Sequence, residues 1–197
     1  MDRHRQKLLE AMIFFAESVK YPSKMMMYKL LAELDFRHFK ATGLPVTNLQ
    51  YEAWKRGPVP KELHKEISPQ KDEIVLPNDF GEGLWVEKVD CDTHDGSKKT
   101  MFLFHPRRKP HLNVFSPRQQ EILKQVADIY KTATPTEASK ASHEPGTPWT
   151  ITVQKCGDKE GAIIDFLDFL DKKSPVTRDE AREMIEEMRA FQRNYSA

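Results

Sequence analysis

The chain has 197 residues, enough for one core of ordinary size, or for one domain with a helical extension. Hydrophobic residues make up 39% and charged residues 31%, a globular composition on its polar side. Thirty-one Lys and Arg against thirty Asp and Glu leave a net charge of +1, which excludes a long-range field that would draw in nucleic acid or an anionic membrane.

The charged opening Met1 to Lys7 runs into Leu8-Leu9-Glu10, which breaks the apolar run that a signal peptide needs. No stretch approaches the roughly 18 apolar residues of a membrane span. A cytoplasmic protein with no membrane partner is expected. Cys91 and Cys156 stand far apart and outside any C-x-x-C pair, so they predict two free thiols, not a zinc or redox motif.

From Leu8 the apolar positions Leu8, Leu9, Met12, Ile13, Ala16 and Val19 follow helical spacing and stop before Tyr21-Pro22. Ser23 is the N-cap expected for a second helix whose apolar residues Met26, Met27, Leu30, Leu31, Leu34 and Phe39 cover more than one face, as a helix through a core requires. Thr42-Gly43 ends it, because Gly supplies the left-handed C-terminal cap. Gln50 to Trp54 reads as a short strand, Gly57-Pro58-Val59-Pro60 as a turn, and Pro60 as the first residue of a short helix through Leu63 to Ile67. Leu84 to Val89 and Thr100 to Phe104 form a β-hairpin around the polar stretch Asp92 to Ser97. Ser116-Pro117-Arg118-Gln119 and Thr134-Pro135-Thr136-Glu137 are two capping-box helix starts; the second helix ends near His143, where Pro145, Gly146 and Pro148 forbid continuation. Ile163, Ile164, Phe166, Leu167, Phe169 and Leu170 predict another helix. Thr177 opens the last, with a narrow stripe of Ala181, Met184, Ile185 and Met188. The expected fold class is α+β, mainly α-helical with a small antiparallel sheet.

The continuous segment Lys29 to Phe39, then Thr42-Gly43, Tyr51-Glu52-Ala53-Trp54 and Gly57-Pro58-Val59-Pro60, resembles the signature of the SocA-like Panacea-domain antitoxins. Phe115-Ser116-Pro117, Ala141-Ser142-His143-Glu144 and Pro148-Trp149 resemble the second half of that domain, in the same order. Met25-Met26-Met27 and the long insert from Ser68 to Asp79 have no counterpart in the pattern. The resemblance implies a Panacea domain over residues 1–150, with 151–197 as a helical extension packed on it or on a partner. It implies an antitoxin encoded beside a toxin gene and acting by direct protein contact, so the expected partner is a cognate toxin. One branch of the family works as an adaptor that delivers its toxin to an AAA+ protease, which is the alternative reading. Asp35, His38, Gly57, Pro58, Pro60, His143 and Trp149 are the signature residues to which a structural role is assigned. Trp54, Arg56 and Phe36 are the candidate partner anchors, since interface energy concentrates in aromatic and arginine side chains.

No catalytic residue, cofactor or metal is expected: Gly-rich phosphate loops, H-E-x-x-H, G-x-S-x-G and paired Cys/His ligands are all missing from the sequence. Asp35 and His38, three apart on a helix, have the spacing of a packing pair, but no third residue makes them a dyad. Ser142 and His143 are adjacent, so on a helix they point about 100° apart and cannot act as nucleophile and base. His143 is instead expected beside Trp149. Asp90 to Gly96 has the look of a calcium loop but carries Asp95 where the loop needs Gly and Met101 where it needs Glu. Arg107-Arg108-Lys109 is the only compact basic cluster and the sole support for a nucleic-acid-binding regulator. The three methionines are expected as core filling, with an adaptable partner surface as the other possibility.

Overall fold

The computed structural model describes residues 2–68, 73–92, 98–157 and 160–195. Helix α1 (Arg3–Ser18) starts where the Asp2 carboxylate accepts the N–H groups of His4 and Arg5. Helix α2 (Lys24–Thr42) starts at Ser23, whose hydroxyl accepts the Met26 N–H, and stops at Gly43, left-handed at φ 79°. As the multi-faced pattern predicts, α2 runs through the core: Met26, Met27, Leu30, Leu31, Leu34 and Phe39 are fully buried. Two of the three methionines are thus core, and Met25 stays half-buried.

Strands β1 (Tyr51–Trp54) and β2 (Gly57–Pro60) form an antiparallel hairpin in the register Tyr51↔Pro60, Ala53↔Pro58 and Trp54↔Gly57. The expected turn at Gly57-Pro58-Val59-Pro60 is therefore a strand, and the reversal falls on Lys55 and Arg56. Proline is tolerated there because β2 is an edge strand of a three-stranded sheet, with β1 on one side only, where a missing N–H breaks no ladder. Pro60 caps helix α3 (Lys61–Glu66) from outside and is not its first residue.

A single-turn helix α4 (Asn78–Gly81) precedes the long hairpin of β3 (Leu84–Asp92) and β4 (Lys98–Pro106). The base of that hairpin is tied to the α1–α2 link, with the Phe104 N–H donating to the Pro22 carbonyl. The loop expected as a solvated calcium mimic lies mostly outside the described residues, as do residues 69–72 of the long insert. A 3-10 turn (Leu112–Val114) leads to α5 (Pro117–Tyr130), and α6 (Pro135–Ala141) follows; both carry the expected capping boxes. Ile122, Leu123, Val126, Ala127 and Tyr130 bury the α5 stripe against α1 and α2.

Helix α7 (Pro148–Cys156) was not expected, because Pro148 reads as a stop. Thr147-Pro148 is in fact a third start signal, with the Thr147 hydroxyl accepting the Thr150 N–H. The helix expected over Ile163 to Leu170 is a correction as well. Ala162–Ile163 is strand β5, paired with β1, and only Phe166–Phe169 makes a 3-10 turn. Gly157 and Gly161, both at positive φ, redirect the chain, and the Gly161 and Ile164 N–H groups donate to the carbonyls of Ala53 and Tyr51. Those sheet bonds outweigh helical spacing in a segment only a few residues long. Helix α8 (Arg178–Tyr195) begins at Thr177 as expected and packs Ala181 against Phe39 and Leu170 beside Gly43. The result is a mainly helical α+β fold. Among the described residues no helix is long and apolar enough to cross a membrane.

Candidate partner-binding groove

Asp35 sits completely buried in the middle of α2 and anchors the loop that leads into β1. Its Oδ1 accepts the Val46 and Thr47 N–H groups, each at 2.8 Å, and its Oδ2 accepts the hydroxyls of Tyr51, at 2.9 Å, and Thr47. Burial pushes its pKa up, and the four donated hydrogen bonds pull the other way. The expected Asp35–His38 pair does not form. His38 Nδ1 lies 2.6 Å from the Leu44 carbonyl, to which it donates, because the two side chains serve two different stretches of the same loop.

That loop delivers β1, and the β1–β2 turn is then clamped through backbone atoms. Trp149 Nε1 donates to the Trp54 carbonyl at 2.8 Å, Ser139 Oγ to the Arg56 carbonyl at 2.9 Å, and the Lys55 N–H to Glu160 Oε1 at 3.4 Å. Behind the turn, Lys29 Nζ donates to the Pro58 carbonyl at 3.0 Å. Lys29 is 2% exposed and has no ion pair among the described residues, so burial drives its pKa down to about 7. Gly57, at φ 98°, lets the turn approach this amine: a Cβ there would stand 2.6 Å from Lys29 Nζ and would also meet Ser142 Oγ.

The Lys29 site makes a pH prediction. Between pH 7 and the free lysine value near 10.5 the unfolded chain holds a proton that the folded chain has released. Stability therefore rises with pH across that window and lacks this gain below it. Relative to Lys29→Met, wild-type unfolding free energy should climb by up to about 1.4 kcal/mol per pH unit above pH 7 and stay level below. Urea unfolding of both proteins from pH 6 to pH 9 reads the slope, and parallel curves would show that the amine stays protonated when folded.

Clamping the backbone leaves the side chains of Lys55 and Arg56 exposed, with no ion pair among the described residues. They flank a groove of about 290 Å³ between the first turn of α2, the β1–β2 turn and α3. Met25, Tyr28, Trp54 and Val59 give it an apolar floor, and Lys24 joins the rim. Trp54 is half-buried, its ring 4.9 Å from that of His64 and its Nε1 donating to Glu52 Oε2. Lys24 is half-buried, and that burial lowers its pKa.

Of the three candidate anchors, the fold brings Trp54 and Arg56 to this one groove and takes Phe36 away. Phe36 is 4% exposed, its ring 5.3 Å from Tyr51 and 5.1 Å from Phe166, so its edge-to-face packing in the second core cluster replaces the expected surface role. The basic cluster Arg107 to Lys109 is engaged within the fold. Arg107 donates to the Leu84 carbonyl, Arg108 makes a two-pronged pair with the buried Glu10, and Lys109 pairs with Glu17. His143 does lie against Trp149, with ring centroids 4.0 Å apart, and its buried Nε2 has no hydrogen-bond partner among the described residues. Pro58 and Pro60 are buried in β2, and Cys91 and Cys156 are unpaired. Among the described residues no group of three or more His, Cys, Asp or Glu side chains could hold a metal ion.

Lys24, Lys29 and Lys55 were not picked out as functional residues from the sequence. Lys29 carried a signal: a lone cation between the apolar positions Met26, Met27, Leu30 and Leu31 of a helix read as buried must enter the core with it. Lys24 and Lys55 carried none, because their placement depends on how two distant segments meet.

Comparison with protein-family models matches residues 27–150, well over half of the chain, to the family described as antitoxin SocA-like, Panacea domain. The matched span includes α2 from Met27 onward, both hairpins, α5, α6 and the Thr147-Pro148 start of α7. Neither the curated proteins nor the solved structures contain a match.

Proposed function

The chain belongs to the antitoxin SocA-like, Panacea domain family, and from that premise we propose that it neutralises a cognate toxin by direct protein–protein contact, without chemistry of its own. The observation that carries this reading is the β1–β2 turn: its backbone is held by Trp149, Ser139 and Glu160 while Lys55 and Arg56 point outward beside Trp54. A turn ordered before binding loses little conformational freedom on association, so more of the contact energy appears as affinity. Around this anchor an occluding interface on the order of 1,600 Å² would extend over α2, α3 and the surface beside Glu160.

Growth rescue tests the proposal. Expression of the product of the adjacent gene should arrest growth, and co-expression of this chain should restore it. A harmless neighbour, or a toxic one that the chain fails to counter, would overturn the antitoxin reading.

A further inference from the structure

We propose that the groove beside the β1–β2 turn takes an acidic segment of a protein partner, one apolar residue seated on Met25, Trp54 and Val59 and carboxylates meeting Lys24, Lys55 and Arg56. The proposal rests on the direct-contact reading above and specifies the chemistry of its partner.

Charge bookkeeping across the surface supports it. Elsewhere in the fold, cations lining structural junctions have acids beside them: Arg5 with Asp79 and Glu66, Arg108 with Glu10, Lys61 with Glu52, Arg178 with Asp168. At the groove three cations converge and none has an ion pair among the described residues. Among the described residues the one acid lining it is Glu160, which accepts a backbone N–H from the turn. A fourth amine, Lys29, lies beneath the floor and is spent on the Pro58 carbonyl. With a net charge of only +1, this excess is local and would act on a docked segment, not at long range.

The apolar floor sets the second half of the specificity. Met25 is flexible and polarizable and adapts to whichever side chain enters, while Trp54, braced by His64 and by its bond to Glu52, is a fixed wall. A nucleic acid fits less well. Tyr28 is 4% exposed and Trp54 half-buried, so the groove presents no row of open aromatic faces on which successive bases could stack. Three cations also make a small phosphate footprint, and the Arg107 to Lys109 cluster is already paired or hydrogen-bonded internally.

The test uses the full chain and a short fluorescein-labelled peptide carrying one phenylalanine between glutamates, read by fluorescence anisotropy. The controls are the same peptide with lysines for glutamates, one with alanine for phenylalanine, and a single-stranded oligothymidine. The acidic peptide should bind, should weaken more than about tenfold against the Lys55→Glu/Arg56→Glu double variant, and should weaken with added salt. The double variant keeps the fold, since every clamp on the turn uses its backbone atoms and none uses the Lys55 or Arg56 side chain, and an unchanged Tm verifies it. Equal binding of the acidic and lysine peptides, indifference to the double variant, or tighter binding of the oligonucleotide would overturn the proposal. If the peptide fails while the double variant still rescues growth, the groove chemistry is wrong and the antitoxin reading stands. If the peptide binds and no toxin is countered, the reverse holds.

Discussion

Asp35→Ala should destabilise the chain by about 4 kcal/mol, a fall in Tm of roughly 10 °C for a domain of this size. The substitution removes an acceptor on which four donors converge in a fully buried place, and the N–H groups of Val46 and Thr47 and the hydroxyls of Thr47 and Tyr51 are left without it. An unsatisfied buried donor costs about 1–3 kcal/mol, and relaxation or water entry recovers part of the total. Asp35→Asn should cost less, because the amide oxygen keeps one side of the network while the NH₂ faces donors on the other. Thermal melts of the three proteins check the order, and an alanine variant melting within a few degrees of wild type would show that the network contributes little. Since Asp35 positions the loop into β1, the same variant should also weaken partner binding without Asp35 touching the partner.

Gly57→Ala is the second large effect, about 2–3 kcal/mol. Two costs combine here: a residue other than glycine at φ 98°, and a methyl group wedged against Lys29 Nζ and Ser142 Oγ. Gly146→Ala separates them, since Gly146 has a similar φ of 81° and nothing within 4 Å of a Cβ built there. That control should lose only about 1 kcal/mol. Both costs at Gly57 fall on the turn that carries Lys55 and Arg56, so Gly57→Ala should reduce toxin binding as well as Tm. Equal losses at Gly57 and Gly146 would mean that the close approach to Lys29 is relieved at no cost.

Where the chain could be read from its sequence, local chemistry and tertiary packing agree. Ser23, Gly43, Ser116, Thr134 and Thr177 mark helix ends through bonds made within a few residues of themselves, and the buried stripes of α1, α2 and α5 repeat at helical spacing. The failures occur where distant partners decide. Ile163 to Leu170 has the spacing of a helix, yet β1 captures Ala162–Ile163 as a strand. Gly57 to Pro60 has turn composition but is an edge strand, because β1 supplies its partner. Thr147-Pro148 was legible, carrying the same start signal as Ser116-Pro117 and Thr134-Pro135, but the nearby Pro145 and Gly146 masked it. At the groove, the nearness of Trp54 and Arg56 was legible because Arg56 lies in the short turn that follows Trp54. The burial of Phe36 was not, since two distant segments, β1 with Tyr51 and the 3-10 turn with Phe166 and Phe169, converge on its ring.

The most direct test of neutralisation by contact is the amount of toxin in rescued cells, measured together with the complex recovered on a tagged chain. Contact predicts toxin at undiminished level, co-purifying with the chain in fixed proportion, in cells with and without their AAA+ proteases. Disappearance of the toxin in a protease-dependent way, with rescue lost when the protease is removed, would contradict it and make the chain an adaptor for degradation.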